Sequence, residues 1–191
     1  MIPIATLLGR YRTGYFPMAV EGGIGWFSPE PRGVIPLDRF QVPRRLARSL
    51  RQGRFRCTVN LSFRDVITAC ASREDTRGDW IDEHILESYC ALHEAGHAHS
   101  IEVWDEDRLA GGLYGVSLRG AFFGESMFYR VRDASKVALC VLVKRLSDRG
   151  FGLLDLQWVT PHLRQFGAVE TSRARYLTQL AESMQLDCVF D

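Results

Sequence analysis

The most informative chemical pair in the 191-residue sequence lies on one apolar stretch near residue 155. Asp155 and Gln157 alternate with Leu154 and Leu156, so a strand here would direct the carboxylate and the amide to the same side. A carboxylate on an apolar strand needs a partner or a catalytic task, because its desolvation is costly. The pattern predicts either a catalytic pair or an ion pair in which an arginine or Lys136 neutralises Asp155.

A second chemical feature is a cluster of arginines between positions 44 and 56. Its members are Arg44, Arg45, Arg48, Arg51, Arg54 and Arg56. On a helix, spacings of three and four residues bring Arg44 or Arg45, Arg48 and Arg51 to one face, and no acidic residue lies among them. Such a stripe is typical of phosphate contacts. It is equally expected as a solvated face in a chain whose 24 basic residues include only two lysines.

The segment from His93 to His97 matches the H-E-x-x-H signature of zinc enzymes. That chemistry requires both histidines one turn apart on a continuous helix. Gly96 is predicted to end the helix, so His97 would lie outside it. We therefore expect no metal, and a cluster that includes Cys90 and His99 is the alternative.

Residues 124–128, Gly-Glu-Ser-Met-Phe, resemble the first part of a nucleophile elbow, and Asp155 and His162 follow in the order found in hydrolases. Phe128 replaces the second glycine of that motif, and four residues separate the predicted strand from the next helix. The sequence therefore disfavours a serine hydrolase.

Composition places the chain among folded proteins, with 46% hydrophobic and 25% charged residues. No run of about 18 apolar residues exists, so we expect no membrane segment. The five cysteines form no CxxC pair, and the first residues do not resemble a signal peptide. These features predict a cytoplasmic protein with reduced thiols.

Periodicity predicts strands at 33–37, 55–59, 99–104, 108–116, 121–128 and 152–159, and helices at 42–52, from 60, at 82–95, at 133–148 and from about 173. Asn60 and Asp133 are the expected caps of their helices. Residues 1–33 are too dense in turn signals for long elements. Residues 99–159 thus predict three antiparallel strands, a helix and a strand that can pair in parallel. This is the layered α+β plan of N-acyltransferases of the GNAT type.

Eight segments together resemble the leucyl/phenylalanyl-tRNA–protein transferase family. They are GYFPM (14–18), WFSPEPRGVIPL (26–37), LHEAGHAHSIEVW (92–104), GGLYGV (111–116), FGESMF (123–128), ASKVAL (134–139), DLQ (155–157) and HLRQFGAVE (162–170). They occur in the family's order and cover roughly residues 10–176. Several are long and lack any helical or repeat bias, so chance is a poor explanation.

The resemblance implies a small N-terminal domain (1–33) on a GNAT-like transferase domain (34–191), with no metal and no acyl-CoA. It implies that the protein transfers Leu, Phe or Met from aminoacyl-tRNA to acceptor proteins with N-terminal Arg or Lys, which are thereby marked for degradation. It assigns Asp155 and Gln157 to the catalytic pair and Glu125 to the acidic active-site residue. The residues that it assigns to the aminoacyl pocket are Leu113, Phe122, Met127 and Leu154.

We expect Asp155 and Gln157 to orient the acceptor amine and take up its proton, with a backbone N–H near Gly124 or Gln157 as an oxyanion donor. Glu125 and Asp155 are expected to hold the acceptor's basic side chain. The resemblance also favours tRNA binding by Arg44, Arg45, Arg48 and Arg51. An acyl-CoA-dependent N-acyltransferase and a non-catalytic module that binds tRNA or N-degron peptides are the alternatives.

Overall fold

A computed structural model describes residues 1–72 and 80–191. Within these residues the chain forms nine strands and seven α-helices. The strands are β1 (Phe16–Val20), β2 (Gly23–Phe27), β3 (Arg32–Ile35), β4 (Arg56–Val59), β5 (Ala98–Asp105), β6 (Arg108–Leu118), β7 (Ala121–Tyr129), β8 (Leu153–Gln157) and β9 (Val169–Thr171). The helices are α1 (Ile4–Tyr11), α2 (Arg44–Arg51), α3 (Phe63–Ala71), α4 (Glu83–Glu94), α5 (Ala134–Asp148), α6 (Pro161–Arg164) and α7 (Arg173–Ser183).

Seven strands form one mixed sheet in the order β4-β5-β6-β7-β8-β3-β9. All neighbouring pairs are antiparallel except β7 and β8, which are parallel and are joined through α5. The expected α+β fold class, a largely antiparallel mixed sheet with three antiparallel strands followed by a helix and a parallel strand, is confirmed. Strands β1 and β2 form a separate hairpin.

Helices cover both faces of the sheet, and each face has its own apolar core. On one face, α5 buries the stripe that its sequence predicts, including Val137, Leu139 and Leu146. On the other face, α1, α3, α4 and α7 pack around Tyr114 and Phe123 of the central strands. Alternation along β6 and β7 supplies side chains to both cores. In the described residues, no helix is long and apolar enough to cross a bilayer.

Neither residue predicted as a helix cap caps its helix through its side chain, although Asp133 does occupy the cap position of α5. Asn60 lies two residues before Ser62, the cap position of α3, and its Oδ1 instead accepts a hydrogen bond from the Ser100 amide at 3.0 Å. Asp133 immediately precedes α5, but its carboxylate accepts the Lys136 ammonium group at 2.7 Å and no amide of the helix. In both cases a tertiary or charged partner competes successfully with the local backbone donor.

Helix α1 lies in the stretch for which we expected no long element. It is only eight residues long, and it buries Leu7 and Tyr11 completely. Tertiary packing therefore stabilises a helix that is too short to be marked by periodicity. The N-terminal elements share the apolar cluster of the adjoining sheet face, and Arg32 and Gly33 already belong to β3. The division into domains 1–33 and 34–191 stays a prediction.

Gly33 allows the chain that follows β8 to pass directly over β3. A Cβ atom at this position would lie 2.6 Å from the Trp158 carbonyl carbon and 2.8 Å from the Val159 nitrogen. The partner of Gly33 in the sheet is Gln157, and the register shifts between Gly33 and Val34. The close approach therefore fixes the backbone at the end of β8.

We expect Gly33→Ala to lower the free energy of unfolding by about 1–3 kcal/mol, because the contacts are with backbone atoms that cannot rotate away. Gly9→Ala is the control, since a Cβ there meets nothing within 4 Å and alanine favours the helix by about 0.5–1 kcal/mol. Urea unfolding measures both. An unchanged stability of Gly33→Ala would contradict the predicted clash.

Candidate active site

The candidate active site is a cleft of about 1700 Å³ where two parallel strands separate. β7 and β8 pair only from Ala121 opposite Leu153 to Phe123 opposite Asp155, although β7 continues to Tyr129. Beyond that point the strands diverge, and the gap is lined by parts of the β1–β2 hairpin, α3, β6, β7, α5, β8 and α6. The site is therefore an interruption in the sheet.

Gly124 lies where the gap between the strands is narrow. A Cβ atom at Gly124 would be 3.5 Å from the Asp155 carbonyl oxygen and 3.8 Å from Leu156 Cδ2. These are ordinary contacts, so a side chain here would fill the cleft without disturbing the protein. Because glycine has no side chain, the gap between β7 and β8 stays open at this point.

One part of the cleft is an apolar slot on the α5 side of the sheet. Three residues expected there, Leu113, Met127 and Leu154, line the cleft. Leu139 and Leu142 of α5 also line it, although neither was expected at the site. Their i, i+3 spacing is typical of a buried helical face, and it could have predicted that both leucines point toward the sheet. The expected pocket residue Phe122 instead packs in the core against Phe190, with ring centroids 5.2 Å apart.

Asp155 is completely buried in a network centred on Arg32. Arg32 Nε donates to Oδ1 at 2.9 Å, and Arg32 Nη2 donates to Oδ2 at 2.6 Å. The Tyr176 hydroxyl also donates to Oδ2 at 2.7 Å, and the backbone N–H of Gln157 donates to Oδ1 at 2.9 Å. Each carboxylate oxygen therefore accepts two hydrogen bonds from the protein. The arginine partner considered from the sequence is Arg32, whereas Lys136 pairs with Asp133.

Arg32 itself is enclosed on every side. Its guanidinium lies over the rings of Phe16 and Tyr176, at 5.1 and 4.5 Å, and its Nη1 donates to the Gly14 carbonyl at 3.0 Å. The bidentate geometry and the aromatic faces suit a planar guanidinium and would not suit a lysine. Arg32 thus joins the N-terminal segment, β3, β8 and α7 around Asp155.

Gln157 presents its side-chain amide to the cleft. Its φ angle is +59°, a left-handed conformation that is uncommon for residues other than glycine. The hydrogen bond from its own N–H to the Asp155 carboxylate closes an Asx-type turn that stabilises this conformation. The residue is only 5% exposed, and Nε2 has no hydrogen-bond partner among the described residues. A buried donor without a partner is costly, which suggests that a ligand completes it.

Glu125 is the extra residue of a β-bulge in β7. Its neighbours Gly124 and Ser126 pair with adjacent residues of β6, so the bulge turns the Glu125 side chain toward α1 and α4. Its carboxylate accepts hydrogen bonds from the Tyr11 hydroxyl at 2.7 Å and the Tyr89 hydroxyl at 3.1 Å. Burial outweighs these hydrogen bonds and raises the pKa of Glu125 from 4.5 to about 7. Glu125 also lines the cleft.

The four arginines expected to bind tRNA are exposed on α2. Arg44, Arg45, Arg48 and Arg51 have no carboxylate within 4.0 Å among residues 1–72 and 80–191. Two other members of the arginine cluster have partners, because Arg54 pairs with Asp105 and Arg56 lies over Trp104.

Neither competing motif has the geometry that its chemistry needs. Helix α4 ends at Glu94 and Gly96 has a φ of +78°, so His93 and His97 do not share a helix. Within the described parts of the chain, no group of three or more His, Cys, Asp or Glu residues could hold a metal ion. Ser126 lies inside β7 opposite Tyr114, not at a turn between a strand and a helix.

The raised pKa of Glu125 predicts a pH-dependent effect on stability. Because the folded protein binds this proton more tightly than the unfolded chain, ionisation destabilises the fold as the pH rises through about 7. We expect Glu125→Gln to raise the melting temperature at pH 8 by roughly 2–6 °C, with little difference at pH 4.5 or below. Glu87→Gln is the control, since pairing with Arg64 lowers the pKa of the partly exposed Glu87. A Glu125→Gln variant no more stable than the wild type at pH 8 would disprove the assignment.

Comparison with known proteins assigns the chain to a family. The sequence profile of the leucyl/phenylalanyl-tRNA protein transferases matches residues 34–181. A protein of that name from Rhodopseudomonas palustris (strain HaA2) is 53% identical over 189 residues, which cover 97% of this chain and 84% of the relative. A similar protein from Nitrobacter winogradskyi (strain ATCC 25391 / DSM 10237 / CIP 104748 / NCIMB 11846 / Nb-255) is 52% identical over 94% of this chain and 81% of its own length.

A solved structure shares the fold at much lower sequence identity. A conserved protein of unknown function from Bacteroides thetaiotaomicron VPI-5482 superposes with a TM-score of 0.50 at 8% identity, over 79% of this chain and 55% of that chain. This likeness concerns the fold alone. The family match over residues 34–181 and the relatives that span nearly the whole chain lead to one conclusion: the protein belongs to the leucyl/phenylalanyl-tRNA–protein transferase family.

Proposed function

We propose that the protein transfers an amino acid from an aminoacyl-tRNA to the N-terminal α-amine of an acceptor protein. The observation that carries the proposal is the juxtaposition, in one cleft, of an apolar slot and the buried side-chain amide of Gln157, whose Nε2 has no partner among the residues that the structure describes. The slot suits an apolar aminoacyl side chain, and the amide suits the oxygen of its ester. Family membership supports the same activity.

The donor side chain would occupy the slot between Leu113, Met127 and Leu154 on the sheet and Leu139 and Leu142 on α5. Five flexible apolar side chains accept leucine, phenylalanine or methionine without a polar group that would select one of them. One methylene group in such a slot discriminates by about 1–3 kcal/mol. A graded preference among these three donors is therefore expected.

The acceptor amine would attack the ester carbonyl carbon, forming the peptide bond as the bond to the ribose oxygen breaks. The ribose oxygen leaves with a proton, and the amine nitrogen loses one, so the reaction is balanced without a cofactor. An aminoacyl ester is already activated, so the protein mainly has to align the reactants. Gln157 Nε2 would donate to the carbonyl oxygen as negative charge develops there.

Asp155 would act through Gln157 in this scheme. Since four donors already occupy its oxygens, the carboxylate has little capacity left to accept a proton or to bind a substrate cation. Its hydrogen bond with the Gln157 amide supports a positioning role. The proton that we expected Asp155 to take up would then pass to the leaving ribose oxygen, and the grip on the acceptor that Asp155 was expected to share would fall to Glu125 alone.

Glu125 would bind the basic side chain of an acceptor with an N-terminal Arg or Lys. Its carboxylate lies in the wall of the cleft and is partly buried. The hydrogen bonds that it accepts come from two neutral tyrosine hydroxyls. An approaching cation would favour its ionised form and lower its pKa again. Transfer to such N-termini would mark the acceptor for degradation.

The experiment is incubation with radiolabelled leucyl-tRNA and peptides that begin with Arg, Lys or Ala. We expect label in the Arg and Lys peptides. Acetyl-CoA consumption in place of transfer would favour an acyl-CoA-dependent N-acyltransferase. Binding of tRNA or peptide without transfer would favour a non-catalytic module.

Gln157→Ala tests the residue assignment within this function. Loss of a donor to the developing oxyanion should lower kcat by roughly 100-fold, with the affinity for leucyl-tRNA unchanged. Gln185→Ala, an exposed glutamine at the end of α7, is the control and should have wild-type rates. A Gln157→Ala enzyme with the wild-type kcat would remove Gln157 from the reaction.

The exposed arginines of α2 would bind the tRNA backbone. Reversing Arg45, Arg48 and Arg51 to Glu should weaken tRNA binding and lower the slope of log affinity against log salt by about 2–3. The control reverses Arg119, Arg149 and Arg175, three exposed arginines elsewhere, with the same change in net charge. If the two triple variants lower tRNA affinity equally, α2 is a solvated face without a specific role in tRNA binding.

A further inference from the structure

The first turn of α5 lies at the wall of the cleft. Gly111 of β6 permits this close approach, because a Cβ atom there would lie 2.7 Å from the Ala134 side chain and 3.2 Å from the Ser135 nitrogen. Ser135, the second residue of the helix, lines the cleft and is only 4% exposed. The helix start is therefore held against the site described above.

Several hydrogen-bond donors at this helix start have no partner in the part of the chain that the structure describes. Ala134 and Val137 donate to backbone carbonyls, but the amides of Ser135 and Lys136 make no hydrogen bond to the described residues. No side chain caps the helix, since Asp133 has a φ of +70° and pairs with the Lys136 ammonium group. No hydrogen bond of the Ser135 hydroxyl is found among residues 1–72 and 80–191, and the residue lies in the wall of the cleft. Donors left free at a helix N-terminus are available to a ligand or to water.

The charges around the first turn favour an anion. A 15-residue helix carries a partial positive charge at its N-terminus. Arg130 lines the same cleft, and the exposed Arg132 and the Lys136 side chain lie beside Asp133. The cations Lys136, Arg132 and Arg45 all lower the pKa of Asp133, the residue directly before the turn. Positive charge is therefore in excess.

The position of Ser135 relative to the slot limits what the anion can be. Ser135 and Leu139 are four residues apart and both line the cleft, so they share one face of α5 about 6 Å apart along the axis. A ligand whose aminoacyl group lies at Leu139 would reach Ser135 with the next part of the molecule, its ribose and phosphate. Helix α2, which carries Arg45, packs against α5.

We propose that the N-terminus of α5, with Ser135 and Arg130, is a binding site for a phosphate of the donor tRNA. This phosphate is the 5′-phosphate of the terminal nucleoside, which carries the amino acid. The inference rests on the proposed function and adds a phosphate subsite to it. Helix N-termini bind phosphate groups through free amides and the helix dipole. Here Ser135 adds a hydroxyl donor and Arg130 a cation.

The test uses two non-reactive donor analogues, 3′-leucylamido-3′-deoxyadenosine with and without a 5′-phosphate. Calorimetry measures their dissociation constants for the wild type, Ser135→Ala and Ser135→Asp. The wild type should bind the phosphorylated analogue roughly tenfold more tightly than the other analogue. Ser135→Ala should reduce this gain to about threefold or less, and Ser135→Asp should abolish it by repulsion, while an acidic residue in the first turn suits the helix. Ser147→Ala, in the last turn of the same helix, should keep the full gain.

The outcomes separate this inference from the proposed function. If the unphosphorylated analogue binds all variants equally and the gain disappears only at Ser135, the inference holds. If that analogue binds and the 5′-phosphate brings no gain in the wild type, or the same gain in every Ser135 variant, the inference is wrong and the proposed function stands. Coenzyme A binding that Ser135→Asp abolishes, without any gain for the phosphorylated analogue, would assign the site to another anionic ligand and overturn the inference. If neither analogue binds and leucyl-tRNA is no donor, both proposals fail.

Discussion

The buried ion pair between Arg32 and Asp155 is the interaction on which the site depends. An uncompensated carboxylate at Asp155 would be strongly destabilising, and the guanidinium is enclosed by Phe16, Tyr176 and the Gly14 carbonyl. The pair ties four segments of the chain to one point. Asp155 also accepts a hydrogen bond from the backbone N–H of Gln157. The Arg32–Asp155 pair therefore helps to hold Gln157 in a left-handed conformation that the residue would otherwise avoid.

The cleft arises from departures from regular sheet geometry around that point. β7 and β8 separate after three paired positions, the bulge in β7 turns Glu125 toward two tyrosines, and Gly124 keeps the passage open. A regular parallel pair would have closed the gap with backbone hydrogen bonds. The apolar slot on the α5 side and the polar groups on the opposite side can therefore meet at a single opening. The proposed transfer, in which an esterified apolar residue meets a basic N-terminus, requires such an arrangement.

The sheet and its long helix were predictable because their signals are local. Alternation predicts β5, β6 and β7, and a buried stripe between Asp133 and Gly150 predicts α5. The partner of Asp155 was not predictable, since Arg32 lies 123 residues away and no spacing rule connects the two. The orientation of Glu125 depends on a bulge, and Phe122 packs in the core on the α5 side against Phe190, a contact that no local sequence pattern indicates. The sequence and its family resemblance predict that Asp155, Glu125 and Phe122 belong to the site. The directions in which their side chains point depend on the folded structure.

The most direct test of the central claim is a double-mutant cycle on the single-turnover rate of leucyl transfer. It compares the wild type, Arg32→Met, Asp155→Asn and the double variant, each at a temperature where circular dichroism shows it to be folded. Residues that act as one unit have non-additive effects. We expect each single substitution to lower the rate at least tenfold, and the double variant to be no slower than the slower single variant. Rates that multiply independently, or a folded single variant with the wild-type rate, would contradict the account.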